Sequence, residues 1–207
     1  MKTTLLLFAF ILTGCSASRI TSVWKNENVS PQKYDPIMVV GIMKDEDSSL
    51  CRKMEQYFAD DLKKLGYNAI SSIATYGPHE FKNLAEEETF KLIYKRKVEA
   101  VITIELLAKE KVKYEQPLWM QRDPLWSYPL PLQERDYTRN CYMIQTIYLW
   151  ESNYYDMNGF LMLYSVQSET YEPGSDKNLS AEYTQMILDD MVKKGLIQKQ
   201  VRVLKAF

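Results

Sequence analysis

Residues 36–43 (PIMVVGIM) run for eight positions without one charged or polar side chain. A strand with one face in water alternates between apolar and polar residues. A run like this one has to be buried on both faces, which calls for a parallel sheet with helices on either side. The next segments of the chain agree. Asp47-Ser48-Ser49 offers helix N-caps, and Leu50, Met54, Tyr57, Phe58, Leu62 and Leu65 recur at helical spacing before Gly66 closes the helix. Residues 68–74 (NAISSIA) read as a short second strand, and Gly77-Pro78 breaks the chain. Leu84, Ala85, Phe90, Ile93 and Tyr94 mark a second helix, ending in three cations at 95–97 that suit the negative end of its dipole.

Residues 98–115 (VEAVITIELLAKEKVKYE) form a long strand. Strict alternation puts Ala100, Ile102, Ile104, Leu106, Ala108, Val112 and Tyr114 on one face and Lys109, Lys111 and Lys113 on the other. Pro117, Pro124, Pro129 and Pro131 then exclude regular structure from residues 116–137. Residues 140–155 and 160–171 are rich in β-formers and meet across Asn158-Gly159, a strong hairpin signal. Asn178 or Ser180 is the expected cap of a last helix through Tyr183, Ile187, Leu188, Met191 and Val192, stopped by Gly195. The order is βαβαβ, a proline-rich excursion, a β-hairpin and a helix. Crossovers imply parallel pairing and the hairpin antiparallel pairing, so the expected fold is a single α/β domain with a mixed β-sheet over residues 35–207. Ile20 to Trp24 adds a candidate edge strand.

Composition narrows function by exclusion. With 26 Lys+Arg against 27 Asp+Glu, the chain has no electrostatic case for nucleic acid. Its one histidine, His79, and seven glycines argue against histidine-based zinc sites, Ser-His or Cys-His catalysis and glycine-rich phosphate loops. No metal and no cofactor is expected. Tyrosine, by contrast, is abundant at 15.

The N-terminus carries an address. Lys2 is followed by an apolar stretch over residues 5–12 (LLLFAFIL), too short to span a bilayer core of ~30 Å as a helix. It ends in Leu12-Thr13-Gly14-Cys15, which resembles the lipobox of bacterial lipoproteins. The resemblance implies removal of residues 1–14 and acylation of Cys15. Ser16 after the cysteine implies sorting to the outer membrane, with the domain facing the periplasm. Residues 15–34 are then expected to act as a lipid-anchored tether. Cys51 and Cys141 would stand in an oxidising compartment, either as a disulfide or as two buried thiols.

The body bears a second resemblance, on residues 52–67 (RKMEQYFADDLKKLGY), Tyr155-Asp156 with Gly159, and residues 168–175 (SETYEPGS). These resemble stretches of small periplasmic lipoproteins. Units of similar topology occur in penicillin-binding-protein activator lipoproteins, the curli secretion channel and the N-terminal domain of the Tol-system β-propeller protein. Likeness of that kind implies a fold and does not carry a function.

Several residues are candidates for a site. The loop after the first buried strand, Lys44-Asp45-Glu46-Asp47, is placed where α/β sheets collect ligands. Its acids are read either as a weak Mg²⁺ or Ca²⁺ site or as charges complementing a helix N-terminus. The hairpin aromatics Tyr142, Tyr148, Trp150 and Tyr164 read as cross-strand core packing. In the proline-rich excursion, Trp119, Trp126 and Tyr128 read either as stiffly held aromatics suited to anchoring a partner or a membrane interface, or as part of a loop that folds over the sheet and caps its apolar face. The expectation is a membrane-anchored, non-enzymatic binding or assembly module contacting an envelope protein or polymer. The alternatives are a structural subunit of a secretion or assembly complex, and a hydrolase or transferase using the acidic loop 45–47.

Overall fold

The computed structural model describes residues 17–27, 32–78, 80–81, 84, 86–115, 142–171 and 174–198. The chain forms a single mixed α/β domain on one six-stranded sheet, in the order β1-β6-β5-β4-β2-β3. The doubly apolar run becomes β2 (Ile37–Ile42), flanked by β3 (Ala69–Ser71) and β4 (Ala100–Glu115), both parallel to it. The other half is antiparallel: β4 with β5 (Tyr142–Asp156), β5 with β6 (Leu161–Tyr171), and β6 with the edge strand β1 (Ser18–Lys25).

Two helices, α1 (Ser48–Lys64) and α4 (Asp176–Lys193), cover one face. Beneath them lies the main core, where Ile37, Val39, Ile102 and Ile104 meet Phe58, Trp150, Tyr154, Tyr164 and Tyr183. Removing an apolar side chain of this size from water contributes about 1.5–3 kcal/mol. Five buried tyrosines, Tyr34, Tyr67, Tyr154, Tyr164 and Tyr183, therefore explain part of the tyrosine excess as packing. Two of their hydroxyls are paired inside the fold, Tyr183 with Ser152 Oγ at 2.7 Å and Tyr164 donating to Asp190 at 2.6 Å, whereas that of Tyr154 is buried without a partner. Among the described residues the other face is covered over its parallel half, by α2 (Ser72–Tyr76) and α3 (Glu86–Lys95). There Ile93 packs with Met38, Val40, Val101 and Met157.

Both long helices end as their glycines foretell. Gly66 (φ 98°) follows α1 and Gly195 (φ 70°) follows α4. In each case the next amide reaches back to the last turn, Tyr67 to Leu62 and Leu196 to Met191, and both apolar pairs are buried.

Four local expectations are corrected. The second strand stops at Ser71 instead of running to residue 74, because Ser71 Oγ accepts from the Ala74 amide and starts α2. The cap of α4 is Ser175, whose hydroxyl accepts from the Asn178 amide, and not Asn178 or Ser180. The hairpin forms at Asn158-Gly159, but Phe160 holds the left-handed conformation (φ 49°), its ring set against Tyr94 and Phe90. Strict alternation along β4 fails at a bulge between Leu106 and Ala108. Leu106 pairs with Trp150 and Lys109 with Tyr148, so Lys109, Lys111 and Lys113 continue the face of Ile102 and Ile104.

Candidate functional site

A cavity of about 840 Å³ opens at the C-terminal end of β2, beside the stretch of β4 that pairs with it, on the α2–α3 face. This is the position where open α/β sheets bind ligands, and the volume suits a small organic molecule. Ile73, Phe90 and Ile93 supply an apolar wall, Lys44, Asp45 and Arg52 a charged one, and Thr103, Glu105 and Asn153 make a polar floor.

The floor is electrostatically uneven. Glu105 and Glu151 stand directly opposite each other on β4 and β5. Glu151 accepts from Gln167 Nε2 (2.9 Å) and Asn153 Nδ2 (3.0 Å), and these donors hold its carboxyl below the usual carboxylate range. Glu105 has no hydrogen-bond or ion-pair partner among the described residues, and burial, then the charge of Glu151, pushes it up. Asn153 is only 8% exposed, and its Oδ1 is buried without a partner. A ligand that donates hydrogen bonds from an otherwise apolar body complements such a floor. Paired carboxylates with separated proton affinities also serve acid–base catalysis. Here Glu151 spends both oxygens on amide donors and does not line the cavity, so the pair does not present two carboxylates to one bond.

A buried carboxylate that the sequence reading missed builds the cavity's corner. Glu55, fully buried in α1, accepts four hydrogen bonds: Gly41 N and Ser72 Oγ at 2.7 Å on Oε1, Ser71 Oγ at 2.7 Å and Ile73 N at 2.9 Å on Oε2. It ties α1 to the end of β2 and to the start of α2. Gly41 is required at this approach, since a Cβ there would lie 2.4 Å from Cys51 Sγ. Cys51 itself is a free thiol, pushed up to about 12 chiefly by burial and further by Glu55, which makes it a poor nucleophile. The available signal for Glu55 was its place within the 51-54-58-62 apolar stripe.

The acidic loop forms a 3₁₀ turn, Asp45–Asp47, leading into α1. Asp47 is buried and lies 3.5 Å from Lys109 Nζ, which also sits over the Tyr148 ring. Among the described residues no group of three or more His, Cys, Asp and Glu side chains is arranged to hold a metal ion. The hairpin aromatics with described side chains pack in or against the core, but the ring contacts of Trp150 are not cross-strand: it stacks on Tyr148 of the same strand and is tilted against Tyr183 of α4. Cys15, His79, Trp119, Trp126, Tyr128 and Cys141 lie outside the described residues.

A second feature is an arm. Lys109, Tyr148, Thr170 and Ser18 form one row across β4, β5, β6 and β1. β6 stops one residue beyond that row, at Tyr171, while β4 continues to Glu115 and β5 begins at Tyr142. At about 3.3 Å per residue the two strands project some 20 Å past the row. Among the described residues no helix is long and apolar enough to cross a membrane.

The molecule is thus a mixed α/β domain with a ligand-sized cavity at its strand ends. No family model matches the chain, and no curated protein matches it either. Among solved structures it is similar to a PelC dodecamer from Paraburkholderia phytofirmans in two crystal forms. These are 9% and 10% identical, each with a TM-score of 0.45 over 86% of this chain and 99% of that one. It is also similar to lipoprotein GNA1162 from Neisseria meningitidis, at 16% identity and a TM-score of 0.43 over 77% of this chain and 99% of that one. Likeness at this level carries no weight in the reading of function.

Proposed function

We propose that this chain is a lipoprotein of the bacterial cell envelope, acylated at Cys15 and facing the periplasm from the outer membrane. Its α/β domain works as a non-enzymatic binding module. The observation that carries the binding role is the cavity at the end of β2, with unpartnered acceptors on Glu105 and Asn153 and both apolar and charged side chains around them. The lipobox over residues 12–15 supports the anchor, and β1 begins three residues after Cys15, which keeps the sheet close to the lipid. Trp119, Trp126 and Tyr128, in the segment between β4 and β5, supply a second contact, to an envelope protein or polymer. A photocrosslinking residue at Trp126, activated in cells, is expected to capture a reproducible partner, and its absence over repeated trials would contradict the reading. Labelled palmitate is expected to enter the chain and to be lost with Cys15→Ala.

A further inference from the structure

The arm and the N-terminal anchor leave the domain from the same end. Ser18, the first residue of β1, lies in the row with Lys109 and Tyr148, and its chain leads back towards Cys15. The Tyr171 amide donates to Ala17 O at 2.9 Å, so the chain follows the strand direction for at least one residue more. Three residues span at most about 10 Å, whereas the arm reaches some 20 Å past the same row. A bilayer holding acyl chains on Cys15 therefore lies within reach of the arm.

We propose that the β4–β5 arm is a second membrane contact, docking through Lys111 and Lys113 onto the anionic phosphate headgroups of the bilayer that holds the lipid anchor. This contact rests on acylation of Cys15. Alternation past the bulge puts both lysines on one face with Lys109 and Glu115, and the bulge turns that face to the side of the main core. Lys109 is engaged by Asp47, while Lys111 and Lys113 have no ion-pair partner among the described residues. Ile144 pairs with Lys113 across the strands and is 55% exposed, which adds an apolar contact on that face. The arm stays at headgroup depth. Beyond the Ile42–Glu105 pair nothing pairs with the outer edge of β4 among the described residues, and an open edge is not tolerated in hydrocarbon. In the headgroup layer, water and phosphate satisfy that edge, and lysines near an anionic surface bind it favourably.

The test uses the mature chain with Cys15→Ser, sedimented with vesicles of phosphatidylethanolamine and phosphatidylglycerol or of phosphatidylcholine alone. Binding to the anionic vesicles is expected, weakened roughly tenfold or more by Lys111→Glu with Lys113→Glu. Circular dichroism confirms that the exposed substitutions leave the fold intact. Equal binding to both vesicle types, or by the charge-reversed arm, overturns the proposal. In the acylated chain on anionic vesicles, a fluorophore on Ile144→Cys in a Cys141→Ser background is expected to be shielded from aqueous iodide. The same fluorophore on Asn158→Cys, at the other end of the sheet, is expected to stay accessible, and equal quenching at both sites also overturns the proposal. Failure of palmitate labelling would sink the anchor without touching the vesicle result, while a failed charge reversal would sink the arm contact without touching the anchor.

Discussion

Glu55 shows how much one side chain organises. Its four donors come from β2, from the end of β3 and from α2, so losing the carboxylate strands buried amides and hydroxyls in three elements. Each buried group left unsatisfied costs about 1–3 kcal/mol. Glu55→Ala is therefore expected to lower unfolding stability by about 3–5 kcal/mol, read from urea denaturation. A loss below about 1 kcal/mol would show that the four bonds are replaceable. The floor pair makes a prediction of opposite sign. Glu105 is raised in the folded state, so its ionisation costs stability as pH climbs from the ordinary carboxylate range through the raised value. Glu105→Gln should stabilise the protein at neutral pH by about 0.5 kcal/mol, the usual scale for like charges facing across strands. The gain should vanish in acid, below the ordinary carboxylate value. Glu151 is lowered, so its contribution is present above that value and fades as pH falls through the depressed one. Melting temperatures of Glu105→Gln and of Glu151→Gln across pH check the two signs. Composition spoke for none of this: a glutamate in VITIELL or in YLWESNYY looks the same whether it faces water, a cavity or another glutamate.

At the scale of elements, most boundaries were legible, because burial on both faces, helical spacing and terminal glycines each report a local requirement. β2, α1, α3, the hairpin and the ends of α1 and α4 follow from such signals. What was not legible depended on partners distant in sequence. Ser71 ends β3 and caps α2, and its hydroxyl also donates to Glu55, sixteen residues earlier. Ser71→Ala removes both bonds and is expected to cost about 2 kcal/mol, above a typical lone cap, measured as a shifted denaturation midpoint. A cost of a few tenths would mean that the cap and the carboxylate bond do not matter together. The bulge after Leu106 was equally invisible, since alternation along β4 reads correctly on either side of it. The slip moves three lysines to the face of the main core and lets Lys109 reach Asp47.

Over the whole molecule, the helices are distributed unequally. Among the described residues one face is covered by α1 and α4, while the other is covered only over the parallel strands. The cavity lies at the boundary of that second cover, where β4 passes from parallel to antiparallel neighbours. The mixed sheet was readable in advance from two crossovers and a hairpin. The cavity was not, because its floor comes from β4 and β5, whose pairing partners Thr103 and Asn153, and Glu105 and Glu151, lie far apart in sequence. The acidic loop, read either as a cation site or as charges complementing a helix N-terminus, is also explained at this scale, since Asp47 is turned inward to Lys109 at the base of the arm. The binding role stands or falls on whether this cavity holds a ligand. Native mass spectrometry of the protein gently extracted from its own envelope tests that, comparing wild type with Thr103→Phe, which fills the floor. An added mass is expected on the wild-type chain and is expected to be lost from the folded variant. Identical spectra, with or without an added mass on both, would contradict the binding role.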